Sequence, residues 1–172
     1  MTLNFPSLLG RLLFVRRHQA LAQQVGDARK EFIVKAYPRE RFWSEVTLTP
    51  AIVGAYAHAA GDNNPIHHDP QFALSTRYGR VIASGTHTTA LLLGLTASQF
   101  SKVGAMIGLE FWVCFRRPIY ADETIRMEWL VIKVTPNETL NGEIVELRGR
   151  IKAQDGQTAI GARGRVLVTD RL

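Results

Sequence analysis

Residues Thr86 to Phe100 read THTTALLLGLTASQF, and they carry the strongest indication of the architecture. Its small and apolar residues predict a helix that has almost no polar face. Because a helix that is apolar nearly all round must be buried on most of its sides, we expect the rest of the chain to enclose it. Hydroxyl side chains gather at its start, where unpaired backbone N–H groups need acceptors.

Four long stretches of alternating apolar and polar residues follow this helix, and they predict strands at 107–115, 124–134, 143–153 and 158–169. In the first stretch the large apolar residues fall at odd positions from Ile107 to Phe115, so we expect them to face the core. Asp155-Gly156 is a strong hairpin turn between the last two strands. This alternation indicates an antiparallel sheet with one buried and one solvated face.

Shorter elements precede the apolar helix. Residues 41–48 alternate like a strand, Thr49-Pro50 is typical of a helix start, and Gly61 is typical of a helix end. A second short helix is predicted at 71–77. Since no other element is available to cover the apolar helix, the sheet has to wrap around it. We therefore predict an α+β fold, a long curved antiparallel sheet around a central buried helix.

The basic charge of the chain is concentrated at one end. The 172 residues carry a formal net charge of +6, and residues 1–30 alone hold five basic side chains and one acidic side chain. We predict a basic helical N-terminal arm at 1–30 and a single domain at 31–172. Because the body shows no basic stripe with interleaved aromatics, we expect no nucleic-acid partner.

The single cysteine and the lack of long apolar runs indicate a protein of the cytoplasm. Cys114 cannot form a disulfide within the chain, and its place in a strand-like run predicts a structural thiol rather than a nucleophile. No apolar run approaches the roughly 20 residues of a membrane-spanning helix. We therefore expect no membrane span.

The segment DNNPIHHDP at 62–70 holds the candidate chemistry. Its composition is typical of a turn, and Pro65 stiffens it so that Asp62 and His67 could converge. A carboxylate and an imidazole suit proton transfer near neutral pH. The structural alternative for Asp62 is a turn or cap residue.

A metal site is the other alternative for this segment. His58, His67, His68 and Asp69 are all possible ligand types, but their spacing matches no standard metal motif, so we expect no metal. His87 could line the same pocket as His67, although a polar residue that serves only the helix start is the more common case.

The segment AGDNNPIHHD at 60–69 resembles the hydratase signature of the MaoC-like dehydratases, whose type members are (R)-specific enoyl-CoA hydratases. Two further segments resemble that family: RVIASG at 80–85, and FRRPI at 115–119 followed by ADET at 121–124. The likeness spans about residues 40–170. It implies the hot-dog fold, which agrees with the architecture predicted from the pattern.

The resemblance also implies a reaction. Asp62 and His67 would together activate one water, which adds to C3 of a trans-2-enoyl thioester and yields a (3R)-hydroxyacyl thioester. The backbone N–H of Gly85, at the start of the central helix, would stabilise the enolate oxygen. Contacts with the substrate are expected from neighbouring residues, namely Asn64, Pro65, Ser84, Thr86 and His87.

The same resemblance implies the partners of the reaction. Coenzyme A or an acyl carrier protein would carry the acyl group, and no metal or redox cofactor is needed. Hot-dog proteins usually assemble by joining the sheets of two protomers, so a homodimer or higher homo-oligomer is expected. Two positions depart from the family pattern: Ser84 replaces a frequent histidine, and Leu93 replaces a serine found in some members.

Two other functions stay open at this point. A hot-dog thioesterase could use Asp62 to direct water at the thioester carbonyl, although thioesterases of this fold generally lack the Asp62–Pro65–His67 pattern. A non-catalytic acyl-CoA-binding subunit would keep the shape without the chemistry.

Overall fold

The computed structural model describes residues 36–170, in which five strands and three α-helices occur. The predicted N-terminal arm at 1–30 lies outside the described residues. Within 36–170 no helix is both long enough and apolar enough to cross a membrane. In chain order the elements are β1 (Arg41–Thr47), α1 (Pro50–Ala59), a short 3-10 helix (Pro65–His67), α2 (Pro70–Ser75), the central helix α3 (Gly85–Phe100), β2 (Ala105–Phe115), β3 (Thr124–Asn137), β4 (Gly142–Lys152) and β5 (Thr158–Thr169).

The strands form one antiparallel sheet in the order β1-β3-β4-β5-β2. The prediction of a long antiparallel sheet is therefore confirmed. The strands β1 and β2 lie at its two edges, and the turn at Asp155 and Gly156 joins β4 to β5 as predicted. The proposed turn segment at 62–70 differs in one detail, because it contains the short 3-10 helix.

One face of the sheet packs on the central helix. The alternating residues of β3 from Ile125 to Val131 are buried as predicted, and Trp129 is only 1% exposed. The indole N–H of Trp129 donates to the Leu92 carbonyl of α3 at 2.8 Å. Gly149 of β4 leaves room for this ring, since a Cβ at that position would lie 2.6 Å from it. Sheet and helix are thus joined by a tightly packed, hydrogen-bonded contact.

The central helix is less enclosed than its composition predicted. Most of its buried residues, Thr88, Leu92, Thr96 and Phe100, follow one another at intervals of four and form a stripe, and the buried His87 lies beside it against Tyr56. Ala90 and Gly94, on another side, are exposed. The sheet curves around one side of this helix only, so the small residues of the remaining surface stay accessible.

The expected burial of the odd positions in β2 is wrong for three of the five residues, since only Phe111 and Val113 pack against the core. Ile107, Leu109 and Phe115 are 41%, 45% and 56% exposed. β2 is an edge strand, and a register shift between Gly108 and Glu110 interrupts its alternation. An edge strand has a neighbouring strand on one side only, so its side chains are covered less completely than those of an inner strand.

Candidate active site

The end of α1 fixes the position of Asp62. Thr49 caps the start of this helix and accepts a hydrogen bond from the Ile52 N–H at 3.2 Å. At the other end Gly61 has a φ of +69°, a left-handed conformation that favours glycine. The turn lets the Asp62 N–H donate to the Ala57 carbonyl at 2.8 Å, so Asp62 is held directly against the helix end.

Side-chain caps then fold the loop back on itself. Asp62 Oδ1 accepts a hydrogen bond from the Asn64 N–H at 3.2 Å. Asn64 in turn caps the 3-10 helix by accepting from the Ile66 N–H at 3.4 Å, and Pro65 is the first residue of that helix. Asp62 therefore does act as a turn residue, but with one carboxylate oxygen only. The other oxygen, Oδ2, faces His67.

The His67 ring is held in one orientation. The side chain is buried, and its Nδ1 lies 2.8 Å from the Ile82 carbonyl. Because a carbonyl can only accept, Nδ1 must carry the proton, and in the neutral ring Nε2 keeps its lone pair. Nε2 lies 3.6 Å from Asp62 Oδ2. That separation is too long for a strong direct hydrogen bond, and it suits two groups that act on the same small molecule.

His67 opens into a cavity of about 500 Å³ at the start of the central helix. Gly85, the first residue of α3, lines the same cavity, together with Thr88 and the ring of Phe115. The first N–H groups of a helix have no acceptor within it and carry partial positive charge. A Cβ on Gly85 would lie 3.0 Å from the Phe115 ring, so any side chain here would require that ring to shift and would narrow the approach. The cavity therefore brings together a base and a site that stabilises negative charge.

Ser84 and Thr86 serve the start of the central helix. The buried Ser84 hydroxyl accepts from the His87 N–H at 3.2 Å and lies 3.0 Å from the Thr86 hydroxyl. The Thr86 carbonyl accepts from the Tyr56 hydroxyl at 3.3 Å. Neither residue lines the His67 cavity, and the same holds for Asn64 and Pro65. Their contact with the substrate stays a prediction.

His87 lies in a different cavity from His67, so the shared pocket that we considered for these two residues does not form. Its buried ring stacks on Tyr56, with centroids 4.3 Å apart and planes 8° from parallel. Burial lowers the pKa of His87, because the charged imidazolium would lose its hydration. Its cavity is lined by Leu91 and Met127 instead. His87 is therefore a neutral ring on another side of the same helix.

The candidate metal ligands do not converge. His58 and His68 lie ring to ring, with centroids 4.9 Å apart. Asp69 caps α2, accepting from the N–H groups of Gln71 and Phe72. Across residues 36–170 no group of three or more His, Cys, Asp or Glu side chains is placed to hold a metal ion.

Several features of the cavity were not found from the sequence. Ile82 contributes a backbone carbonyl, which no residue type can signal. Arg77, Arg116 and Arg117 line the cavity as well, and the FRRP motif was the available signal for the last two. Leu93, which departs from the family pattern, is partly buried against the hydrophobic core.

The sheet order and the central helix define the hot-dog fold. A family model described as "MaoC like domain" matches residues 38–147, so the chain belongs to the MaoC-like dehydratase family. The predicted fold and family are thus confirmed.

Named relatives share this domain. The (R)-specific enoyl-CoA hydratase of Aeromonas caviae is 31% identical over 110 residues, which are 64% of this chain and 78% of the relative. The 3-hydroxyacyl-thioester dehydratase Z of Mycobacterium tuberculosis is 30% identical over 115 residues, 62% of this chain and 76% of the relative. The solved structure of the A. caviae (R)-hydratase involved in PHA biosynthesis matches with a TM-score of 0.69 and 27% identity, covering 76% of this chain and 96% of that chain.

Proposed function

We propose that the protein is a hydro-lyase that reversibly hydrates trans-2-enoyl thioesters to (3R)-3-hydroxyacyl thioesters. The observation that carries this proposal is that His67 Nε2 lies 3.6 Å from Asp62 Oδ2, and that His67 and Gly85 line one cavity. The names of the relatives support it, since they are a hydratase and a dehydratase of acyl thioesters. The (R)-specificity in the name of the A. caviae hydratase supports the (3R) product.

His67 and Asp62 activate the water. Nε2 of His67 takes one proton from the water as its oxygen bonds to C3 of the enoyl group. The hydrogen bond from Nδ1–H to the Ile82 carbonyl stabilises the imidazolium that forms. Asp62 accepts the second O–H of the water and orients it. The imidazolium then returns its proton to C2, so water is consumed and neither group ends the cycle changed.

Gly85 stabilises the intermediate. As C3 bonds to oxygen, the electron pair of the double bond moves towards the thioester carbonyl, and an enolate oxygen develops. The backbone N–H of Gly85 donates to that oxygen, and the positive end of α3 adds to the stabilisation. Donors placed in advance at such a position typically contribute about 10²–10³-fold to the rate.

The proposed chemistry consists of proton transfer and addition of water. Neither step moves electrons to a carrier, so no redox cofactor is required, and two protein side chains activate the water without a metal. We place the reaction in the cytoplasm, which the single unpaired Cys114 supports.

The function is tested with purified protein and a panel of trans-2-enoyl-CoA thioesters of increasing chain length. Loss of the conjugated double bond, release of free thiol and the configuration of the product are followed together. Asp62→Asn and His67→Ala should each lower hydration by about 10²–10⁴-fold. His68→Ala is the matched control, since that ring packs on His58 instead, and it should retain activity.

Other outcomes would contradict the proposal. Thiol release without loss of the double bond would identify a thioesterase. Acyl-CoA binding without turnover on any chain length would identify a binding subunit. Hydration that survives both substitutions would show that the reacting groups lie elsewhere.

We further propose that the protein works as a homodimer joined along β2. This edge strand is 11 residues long and presents an unpaired ladder edge together with exposed Ile107 and Leu109. Such an edge is a template for pairing with a second strand, and antiparallel pairing about a two-fold axis uses the same surface twice. Light scattering after size-exclusion chromatography should give the dimer mass, and Leu109→Lys should shift it towards the monomer. A monomeric wild-type protein would contradict this assembly.

A further inference from the structure

The outer face of the sheet, away from the central helix, carries an unusual row of side chains. Register pairs place Arg41, Leu130, Arg148, Arg163 and Trp112 side by side across all five strands. With neighbouring strands about 4.8 Å apart, the row spans roughly 19 Å. All four of its charged or aromatic side chains are exposed.

Two arginines of this row stand directly opposite each other without a carboxylate. Arg148 and Arg163 are cross-strand partners, and like charges in that arrangement repel. Two of the nearby carboxylates serve other cations: Glu128 pairs with Arg126, Arg150 and Lys152, and Glu110 pairs with Arg165. A third, Glu146, lines a neighbouring pocket together with Arg148 and Arg163 but lies beyond ion-pair distance of both. No ion pair joins Arg148 or Arg163 to an acidic side chain within residues 36–170. Their positive charge is thus available to an anionic ligand.

The state of Glu128 strengthens this conclusion. Its partial burial by itself raises the pKa, but the hydrogen bond from Arg150 and the charges of Arg150, Lys152 and Arg126 outweigh that effect and lower it. The carboxylate is therefore firmly charged and already shared among three cations. It has little capacity left to neutralise Arg148.

A pocket of about 570 Å³ lies beside the row. Trp112, Arg148 and Arg163 line it, and Gly161 lies among them without a side chain. The guanidinium of Arg116 leans over this gap, with Nε 3.6 Å from the position of a Gly161 Cβ. Arg116 also lines the His67 cavity, so a single side chain connects the outer pocket to the candidate active site.

We propose that Arg116, Arg148 and Arg163, the arginine face, bind the phosphates of coenzyme A while its acyl end occupies the His67 cavity. This rests on the proposed thioester substrate. Guanidinium groups match phosphate oxygens in pairs, and three of them suit a ligand that carries several phosphates. The exposed Trp112 ring, beside Arg163, supplies a flat surface on which the adenine stacks.

The test compares two thioesters of the same enoyl group, one on coenzyme A and one on pantetheine, which lacks the nucleotide. The variant is Arg148→Gln/Arg163→Gln. Its matched control is Arg165→Gln, on the same strand and face but paired with Glu110. We expect the KM for the CoA ester to rise roughly tenfold in the double variant, with kcat unchanged. The KM for the pantetheine ester should not move, and neither KM should move in the control.

Calorimetric titration of free coenzyme A separates this inference from the reaction. Wild type should bind coenzyme A, and the double variant roughly tenfold more weakly. A KM for the CoA ester within twofold of wild type, or equal coenzyme A affinity in both proteins, overturns the inference even if hydration is confirmed. If neither thioester is hydrated, the proposed function is wrong, and the titration alone then tests whether the arginine face binds coenzyme A. If the double variant loses activity only towards an enoyl group carried by an acyl carrier protein, the arginine face binds that protein rather than coenzyme A.

Discussion

Trp129 is the residue whose replacement should most clearly reveal how the sheet holds the central helix. Trp129→Phe removes part of a ring that is 1% exposed, and it removes the 2.8 Å hydrogen bond to the Leu92 carbonyl. Deleting buried ring atoms and leaving a cavity should cost about 2 kcal/mol. Loss of the hydrogen bond should add about 1 kcal/mol. The expected loss in the free energy of unfolding is therefore about 3 kcal/mol.

Urea unfolding followed by far-UV circular dichroism measures this loss without depending on tryptophan fluorescence. The control is Trp112→Phe, since Trp112 is 56% exposed and should change stability by no more than about 0.5 kcal/mol. The slope of the free energy against urea should stay the same in all three proteins. Equal stability of the two variants would refute the role given to Trp129 as the link between sheet and helix.

Three further predictions concern the site and its surroundings. Gly85→Ala keeps the backbone N–H but places a methyl group 3.0 Å from the Phe115 ring, where it narrows the approach to the helix N-terminus. The kcat for hydration should fall about 10²-fold while the fold persists, and an unchanged kcat would show that the substrate oxygen does not approach the helix along this path. Burial lowers the pKa of His87 below its ordinary 6.5, so the unfolded chain binds a proton more readily than the folded protein, and stability should fall as the pH drops below about 6.5. His87→Phe should flatten this fall of the melting temperature between about pH 7 and about pH 5. An unaltered slope would show that His87 is not the group responsible. Asp69→Ala removes the cap of α2 and should lower the free energy of unfolding in urea by about 1 kcal/mol. The rate of hydration should stay within roughly twofold of wild type, and a large loss of activity would instead give Asp69 a catalytic role.

The sequence predicted the sheet where a buried face has a regular period. In β3 the residues from Ile125 to Val131 alternate without interruption, and the strand lies between two neighbours, so pattern and burial agree. In β2 the same pattern misled, because strand order decides which strand becomes an edge. The shift at Gly108 depends on pairing with β5, which is a tertiary contact that the local sequence does not encode.

The candidate site was predicted in part for a similar reason. Asp62 and His67 are five residues apart in a stiff loop, so local geometry was enough to bring them together. Locating His87 required knowing which side of α3 faces which layer, and the sequence of α3, which has almost no polar face, does not show that direction. The Ile82 carbonyl, which fixes the His67 tautomer, is a backbone group and leaves no trace in the residue types.

If Asp62 and His67 act on one water molecule, their substitutions should not have independent effects, and a double-mutant comparison measures this. The kcat/KM for a short trans-2-enoyl-CoA is measured for Asp62→Asn, His67→Ala and the combined variant, after each is shown to be folded. Each single change should lower kcat/KM by about 10³-fold, and the combination by no more than about tenfold further, because groups that work as a unit are not additive. A combined loss equal to the product of the two single losses, or near wild-type activity in either single variant, would contradict the account.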